Sequence, residues 1–219
     1  MRKSIGTILF LVVLFLSFIP VIMGEYRNNL NDNYEAVTVI LDAGHGGKDG
    51  GTSVKGISEK DINLQIVLKL QKALIKHGVK VTLTRDGDFD LSSPNVSRRK
   101  KSDFDNRINL INNSGSDLYL SIHVNYLEDE RFYGAQTFYT IDNKELALAI
   151  QRELKNNLKS PMNAKILSNS IYMYKQLTIP GVLIEVGFLS NSKERDLLID
   201  EYYQDKIVDS IIMGLINYF

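Results

Sequence analysis

The sequence predicts a single three-layer α/β domain, a mostly parallel central sheet flanked by helices, preceded by an N-terminal segment outside the fold. Strand-like runs alternate with amphipathic helical segments from residue 37 onward. The runs are continuous and β-branched, as strands covered on both faces require. The chain has 219 residues, 44% hydrophobic and 24% charged, ordinary values for one domain with a sizeable core. Lys plus Arg equals Asp plus Glu at 26 each, so no net positive field favours a nucleic-acid partner. The absence of cysteine excludes a disulfide scaffold, a thiol nucleophile and any Cys-ligated metal. A metal would have to sit on His, Asp or Glu, and the only histidines are His45, His77 and His123.

Residues 1–24 place Arg2 and Lys3 before an uncharged apolar run from Ile5 to Met23, the arrangement of a signal peptide or signal anchor. The run approaches the ~20 residues a membrane-spanning helix needs, so cleavage after Gly24 and retention are both open. Residues 25–36 form a polar linker, and 37–219 the folded domain. Ala36 to Leu41 is a β-branched strand closed by Asp42-Ala43-Gly44. Ser58 with Asp61 suggests a capping box opening a helix that carries Ile62, Ile66, Leu70 and Leu74 as far as Gly78. Val79 to Thr84 completes a β–α–β unit. Asp105 to Asn113 is a helix. In the strand Asp117 to Asn125, Leu118, Leu120, Ile122 and Val124 share one face, and Tyr119, Ser121, His123 and Asn125 the other. A strand over Ala135 to Thr140, a helix over Lys144 to Leu158, a strand over Val182 to Val186 and helices from Ser192 complete the domain. Tyr172 and Tyr174 alternate as core or rim residues of a strand and need no ligand.

Ligands of open α/β sheets gather outside the carboxyl ends of strands. His45 lies just past one such end, among Gly44, Gly46 and Gly47, which let backbone and imidazole approach a small ligand closely. Nucleotide-binding loops do not fit: Gly44-x-Gly46-x-x-Asp49 lacks a third glycine, and Gly47-Lys48-Asp49 lacks the Ser or Thr of a phosphate loop. His123 sits near the end of a second strand. Glu59 falls in the first turn of the helix after the His45 loop. Together His45, Glu59 and His123 would give three nitrogen and oxygen ligands to Zn²⁺ with a fourth position open for water, the composition of a hydrolytic zinc site. Glu185 interrupts Val182-Leu183-Ile184 and Val186, where a carboxylate costs several kcal/mol unless paired, hydrogen-bonded or protonated. Burial raises its pKa toward neutrality, as a general base for such a water requires. Structural readings stand beside these: a hydrogen-bonded strand-end His, a Glu59 favoured by the helix dipole, a Glu185 paired with Arg85 or Arg107. His77 precedes the helix-ending Gly78 and is assigned no chemistry. Arg98-Arg99-Lys100-Lys101 reads as a solvated loop, a helix start, or a holder of anionic substrate. Asn125, on the His123 face, is a candidate substrate or outer contact.

Leu41-Asp42-Ala43-Gly44-His45-Gly46-Gly47, Ser58-Glu59-Lys60-Asp61-Ile62-Asn63, Ser121-Ile122-His123-Val124-Asn125 and Ile184-Glu185-Val186-Gly187-Phe188-Leu189-Ser190-Asn191 resemble, in order, the signature segments of the zinc-dependent N-acetylmuramoyl-L-alanine amidases, the Amidase_3 family. The resemblance covers about residues 37–217, and Ala43 stands where the family commonly has proline. It implies His45, Glu59 and His123 as ligands of one Zn²⁺ and Glu185 as the catalytic glutamate. Ser97-Arg98-Arg99-Lys100, Gly134-Ala135-Gln136-Thr137-Phe138-Tyr139 and the lack of wall-binding repeats are similar to the short spore-cortex, germination-specific members. These imply hydrolysis, by a zinc-activated water, of the amide joining the muramic acid lactyl group to L-alanine of the stem peptide. That is the first step toward muramic δ-lactam, completed by a partner deacetylase. The implied partners are peptidoglycan and an activating lipoprotein. The implied location lies across the cytoplasmic membrane, in the cell wall or forespore intermembrane space, with membrane contact if the N-terminal segment is retained. The alternatives are a non-catalytic peptidoglycan-binding protein that keeps the fold, and a zinc peptidase cutting within the stem.

Overall fold

Residues 37–167 and 171–219 are described by a computed structural model; the proposed signal segment 1–24 and linker 25–36 lie outside the described residues. β1 (Thr38–Ala43) is followed by a short hairpin of β2 (Ser53–Val54) and β3 (Ile57–Ser58), then α1 (Glu59–Lys76), β4 (Lys80–Leu83), α2 (Arg99–Asn112) and β5 (Leu118–Asn125). β6 (Gln136–Tyr139), α3 (Lys144–Leu158), β7 (Lys165–Ile166), α4 (Tyr172–Lys175), β8 (Gly181–Phe188), α5 (Ser192–Leu198) and α6 (Glu201–Tyr218) complete the chain. The main sheet runs β4-β1-β5-β8-β6-β7. β4, β1, β5 and β8 are mutually parallel, and β6 alone pairs antiparallel to its neighbour β8.

Alternation along the parallel strands separates two cores. Leu41, Leu120, Ile122, Ile184 and Val186 point to one side, where Ile66 and Leu70 of α1, Ile150 and Leu154 of α3, and Ile207 and Ile211 of α6 cover them. Ile40, Tyr119 and Leu183 point to the other, under Ile108 and Ile111 of α2 and Met173 and Tyr174 of α4. This second layer is much thinner, which leaves room on that side at the strand ends. Among the described residues no helix is long and apolar enough to cross a membrane.

Gly214 brings α6 against α3: a Cβ there would lie 2.5 Å from the Ile150 Cα. Helix propensity favours alanine by about 1 kcal/mol, but overpacking against backbone costs about 1–3 kcal/mol or more. Gly214→Ala is therefore expected to lower the unfolding free energy by about 1–2 kcal/mol, read as an earlier urea midpoint with unchanged slope.

Several local expectations are corrected. Ser58 precedes α1 as its N-cap, yet its hydroxyl donates to the Gly50 carbonyl at 2.9 Å and makes no capping bond, so the Ser58–Asp61 capping box is not formed. α2 begins at Arg99, six residues before the expected Asp105. Its first turns are polar and are held by ion pairs, Arg99 to Asp90 at 2.5 Å and Lys101 to Asp105 at 2.6 Å, which an apolar period does not register. Tyr172 and Tyr174 lie on the short helix α4, not on a strand. The unanticipated β2–β3 hairpin turns through Lys55 and Gly56, both at positive φ (+51° and +81°), the backbone of a two-residue hairpin turn.

Candidate metal centre and catalytic cavity

β1 ends in a run of carbonyls held by two buried arginines. Arg85 donates to the carbonyls of Ala43 (2.9 Å) and Gly44 (3.0 Å). Arg107 donates to Ala43 (2.8 Å) and to His45 (3.1 Å). His45 itself adopts φ +62°, a left-handed conformation uncommon outside glycine that persists only where the surroundings dictate it. The arginine on its carbonyl and the reciprocal Gly46–Asp49 backbone bonds (2.9 and 3.0 Å) supply that constraint. The result turns the imidazole back over the strand end.

Glu59, the first residue of α1, and His123, near the end of β5, meet it there. Glu59 Oε1 lies 3.2 Å from His45 Nε2 and 3.0 Å from His123 Nδ1, and also accepts from the Val124 amide at 3.3 Å. Its other oxygen accepts from the Thr52 amide at 2.9 Å. The two imidazoles stand edge to face with centroids 5.1 Å apart. Gly44 is required by this approach, since a Cβ on it would fall 2.3 Å from the His123 ring. Burial alone would raise the Glu59 carboxyl, but its hydrogen bonds to His123 and His45 hold it well below the usual carboxylate range. At His45 burial opposes the charged ring, while the Glu59 and Asp49 carboxylates outweigh it and raise the pKa. One ligand atom from each of His45, Glu59 and His123 lies within 4.8 Å of the others. Two nitrogens and one anionic oxygen, converging on one point at a partly open strand end, suit a divalent cation such as zinc.

Glu185 faces this group across the sheet, directly opposite His123 in the β5–β8 register. Burial, and secondarily the negative charge of Glu59, push its pKa up to about 7 against the pull of the two histidines. Among the described residues its Oε2 is buried with no hydrogen-bond partner. Beside it opens a cavity of about 190 Å³, whose lining residues include His45, His123, Glu185 and Tyr174 together with the apolar Phe104 and Leu183. Beneath lies a buried network. Asp42 accepts from Arg107 (2.5 Å), Thr84 (2.8 Å) and Ser121 (2.6 Å), and Ser121 meets the Tyr174 hydroxyl at 3.0 Å.

All four anticipated residues, His45, Glu59, His123 and Glu185, are thus brought together. Pairing of Glu185 with an arginine does not occur: Arg107 is engaged by Asp42 and Asp103, and Arg85 by backbone carbonyls. Asn125 lies two residues beyond His123 with Oδ1 accepting from the Tyr126 amide at 2.8 Å, and does not line the cavity. The basic run is largely neutralised, Arg99 by Asp90, Lys101 by Asp105, and Lys100 3.7 Å from Asp49. His77 closes α1 as its C-cap, remote from the site. The joining of Asp42, Arg107, Ser121 and Tyr174 into one buried network was not anticipated from sequence; of the four only Ser121 lies on the polar face of β5.

A model of the Amidase_3 family, described as N-acetylmuramoyl-L-alanine amidase, matches residues 39–217. The chain belongs to this amidase family. Over its whole length this amidase is 37% identical to the germination-specific N-acetylmuramoyl-L-alanine amidase of Bacillus subtilis (strain 168), across 97% of that protein. Its structure is similar to the CwlD amidase of Clostridioides difficile, solved in complex with the GerS lipoprotein: TM-score 0.79, 44% identity, 83% of this chain and 98% of that one. It is also similar to an N-acetylmuramoyl-L-alanine amidase of Clostridium difficile 630, with TM-score 0.74 and 33% identity over 84% of this chain and 97% of that one. As a member of this family the protein is a hydrolase acting on peptidoglycan.

Proposed function

We propose that the domain 37–219 hydrolyses the amide between the lactyl group of N-acetylmuramic acid and L-alanine of the stem peptide, with one Zn²⁺ held by His45, Glu59 and His123. The observation that carries this reading is the convergence of two imidazoles on Glu59 Oε1, at 3.2 and 3.0 Å, opposite an unpaired buried Glu185. Zinc bound there would supply a Lewis acid and lower the pKa of a coordinated water toward ~7. Glu185 takes a proton from the attacking water and delivers it to the scissile nitrogen. An O–C bond forms, the C–N bond breaks, and L-alanine departs as an amine, since an amide anion does not leave at neutral pH. A carboxyl poised near 7 can do both. Asn125 offers its amide NH₂ to substrate at the end of β5.

The germination-specific relative supports a role in spore cortex, as the first step toward muramic δ-lactam with a deacetylase downstream. The relative solved with a lipoprotein supports an activating lipoprotein partner. Export across the cytoplasmic membrane to the wall or forespore intermembrane space, directed by residues 1–24, is the reading supported by the basic start and uncharged apolar run of that segment. Purified enzyme with that partner, given intact peptidoglycan, is expected to release free L-alanine amino termini and peptide-free glycans by mass analysis. New cuts inside the stem would identify a peptidase, and unchanged material a binding protein. Removing a metal ligand should exceed the 10–100-fold typical of outer contacts: His45→Ala and His123→Ala are each expected to weaken zinc binding by more than about 100-fold. Stoichiometric zinc in either purified variant would overturn the ligand set.

A further inference from the structure

We propose that Tyr174 reads the substrate: its phenol oxygen accepts a hydrogen bond from the N–H of the scissile amide and so sets this cavity to prefer amides over esters. The inference rests on the amidase reading and adds a residue that no motif carries.

The argument is a count of protons. Asp42 is an ionised carboxylate with no proton to give: burial opposes its charge, but Arg107 at 2.5 Å and the Ser121 hydroxyl hold its pKa below the ordinary range. The Ser121 hydroxyl, 2.6 Å from Asp42 Oδ2, must therefore donate to it. That uses the one proton serine has, so toward Tyr174, 3.0 Å away, Ser121 can only accept. The Tyr174 hydroxyl must be the donor of that bond. Its proton is committed to the floor of the site, and what remains on its oxygen is lone-pair density.

Tyr174 also walls the cavity that His45, His123 and Glu185 share, close enough to Glu185 for that charge to act on it. With its proton held by Ser121, it cannot donate to Glu185, in keeping with the unpaired Glu185 Oε2. In this cavity it is an acceptor only. Of the two polar ends of a bound amide, the carbonyl oxygen has nothing to gain from a lone pair, while the N–H does. Accepting that hydrogen fixes the orientation of the nitrogen, leaving its developing lone pair free for the proton Glu185 carries. Tyr174 is buried at 7% exposure, so a substrate N–H left without this acceptor would be stranded away from water.

The test compares the muropeptide with its depsipeptide counterpart, in which oxygen replaces the scissile N–H, in Tyr174→Phe and parent enzyme. An unmet buried donor costs about 1–3 kcal/mol, so kcat/KM on the amide is expected to fall about five- to 150-fold. On the ester it is expected to stay within about threefold, which also reports a folded, metal-loaded enzyme. Equal loss on both substrates, or loss on neither, overturns the proposal. Ser121→Ala gives an independent reading should Tyr174→Phe not fold: it releases the phenol proton and is expected to lower the amide-to-ester ratio in the same direction by a smaller factor, and an unchanged ratio counts against the assignment. Parent enzyme that cleaves no amide at all would instead sink the amidase reading.

Discussion

Glu185→Gln is expected to lower kcat by about 10²–10⁴-fold while leaving zinc content at that of the parent enzyme. The amide fills the same space, so the side chain still reaches the cavity, but it can neither accept the proton of the water nor return one to the nitrogen. Because Glu185 Oε2 has no partner, its removal as a charge leaves no other group stranded. The variant is therefore expected to be at least as stable as the parent at neutral pH, the opposite of what loss of a buried ion pair would do. Turnover within a few-fold of the parent enzyme, with zinc retained, would remove Glu185 from the proton-carrying role. Loss of zinc together with activity would move it into the metal's own ligand set.

Arg107→Met carries the largest expected effect on stability. Arg107 is 2% exposed and holds Asp42, which is fully buried, together with the carbonyls of Ala43 and His45. Breaking a buried pair by removing one partner costs about 3–5 kcal/mol, because the survivor is left charged and dry. Urea unfolding at pH 7 should show a loss of that size. The pH dependence has a definite sign. Asp42 has a depressed pKa in the folded parent, so its contribution is complete above the unfolded value of 3.8 and is lost as pH falls through the folded one. In the variant Asp42 loses the main cation that holds it ionised and takes up a proton more readily. The gap between the two proteins should narrow as the pH is lowered below about 4. A gap under about 1 kcal/mol at pH 7 would mean that the 42–45 backbone is held by Arg85 alone.

The residues that do the chemistry were readable in sequence because each sits at a junction the sequence marks. His45 follows a β-branched strand into glycines, Glu59 opens a long amphipathic helix, and His123 and Glu185 are polar residues on apolar strands. Their convergence follows from parallel strands ending at one edge, so identifying the strands was enough to place the site. The supporting network was not readable. Asp42 and Arg107 lie 65 residues apart, and no local period links a strand residue to the helix that crosses above it. Tyr174 was misplaced because α4 has four residues, too few for a helical period, and two alternating tyrosines imitate a strand. The antiparallel β6 and the order of the sheet depend on pairing across distance, which side-chain alternation does not encode.

The strand order has a consequence for how the protein becomes active. β5 and β8 are neighbours in the sheet, yet 55 residues of chain separate the end of one from the start of the other, and a further antiparallel strand docks on the far side of β8. Non-local parallel pairing of this kind is slow, since loop closure must precede any gain in contacts. The three-residue cluster can assemble from β1, α1 and β5 alone, but its opposing carboxylate arrives only when β8 seats. On refolding from denaturant, tight cation uptake should therefore appear before catalysis does, separated by the time that last central strand takes to find its slot.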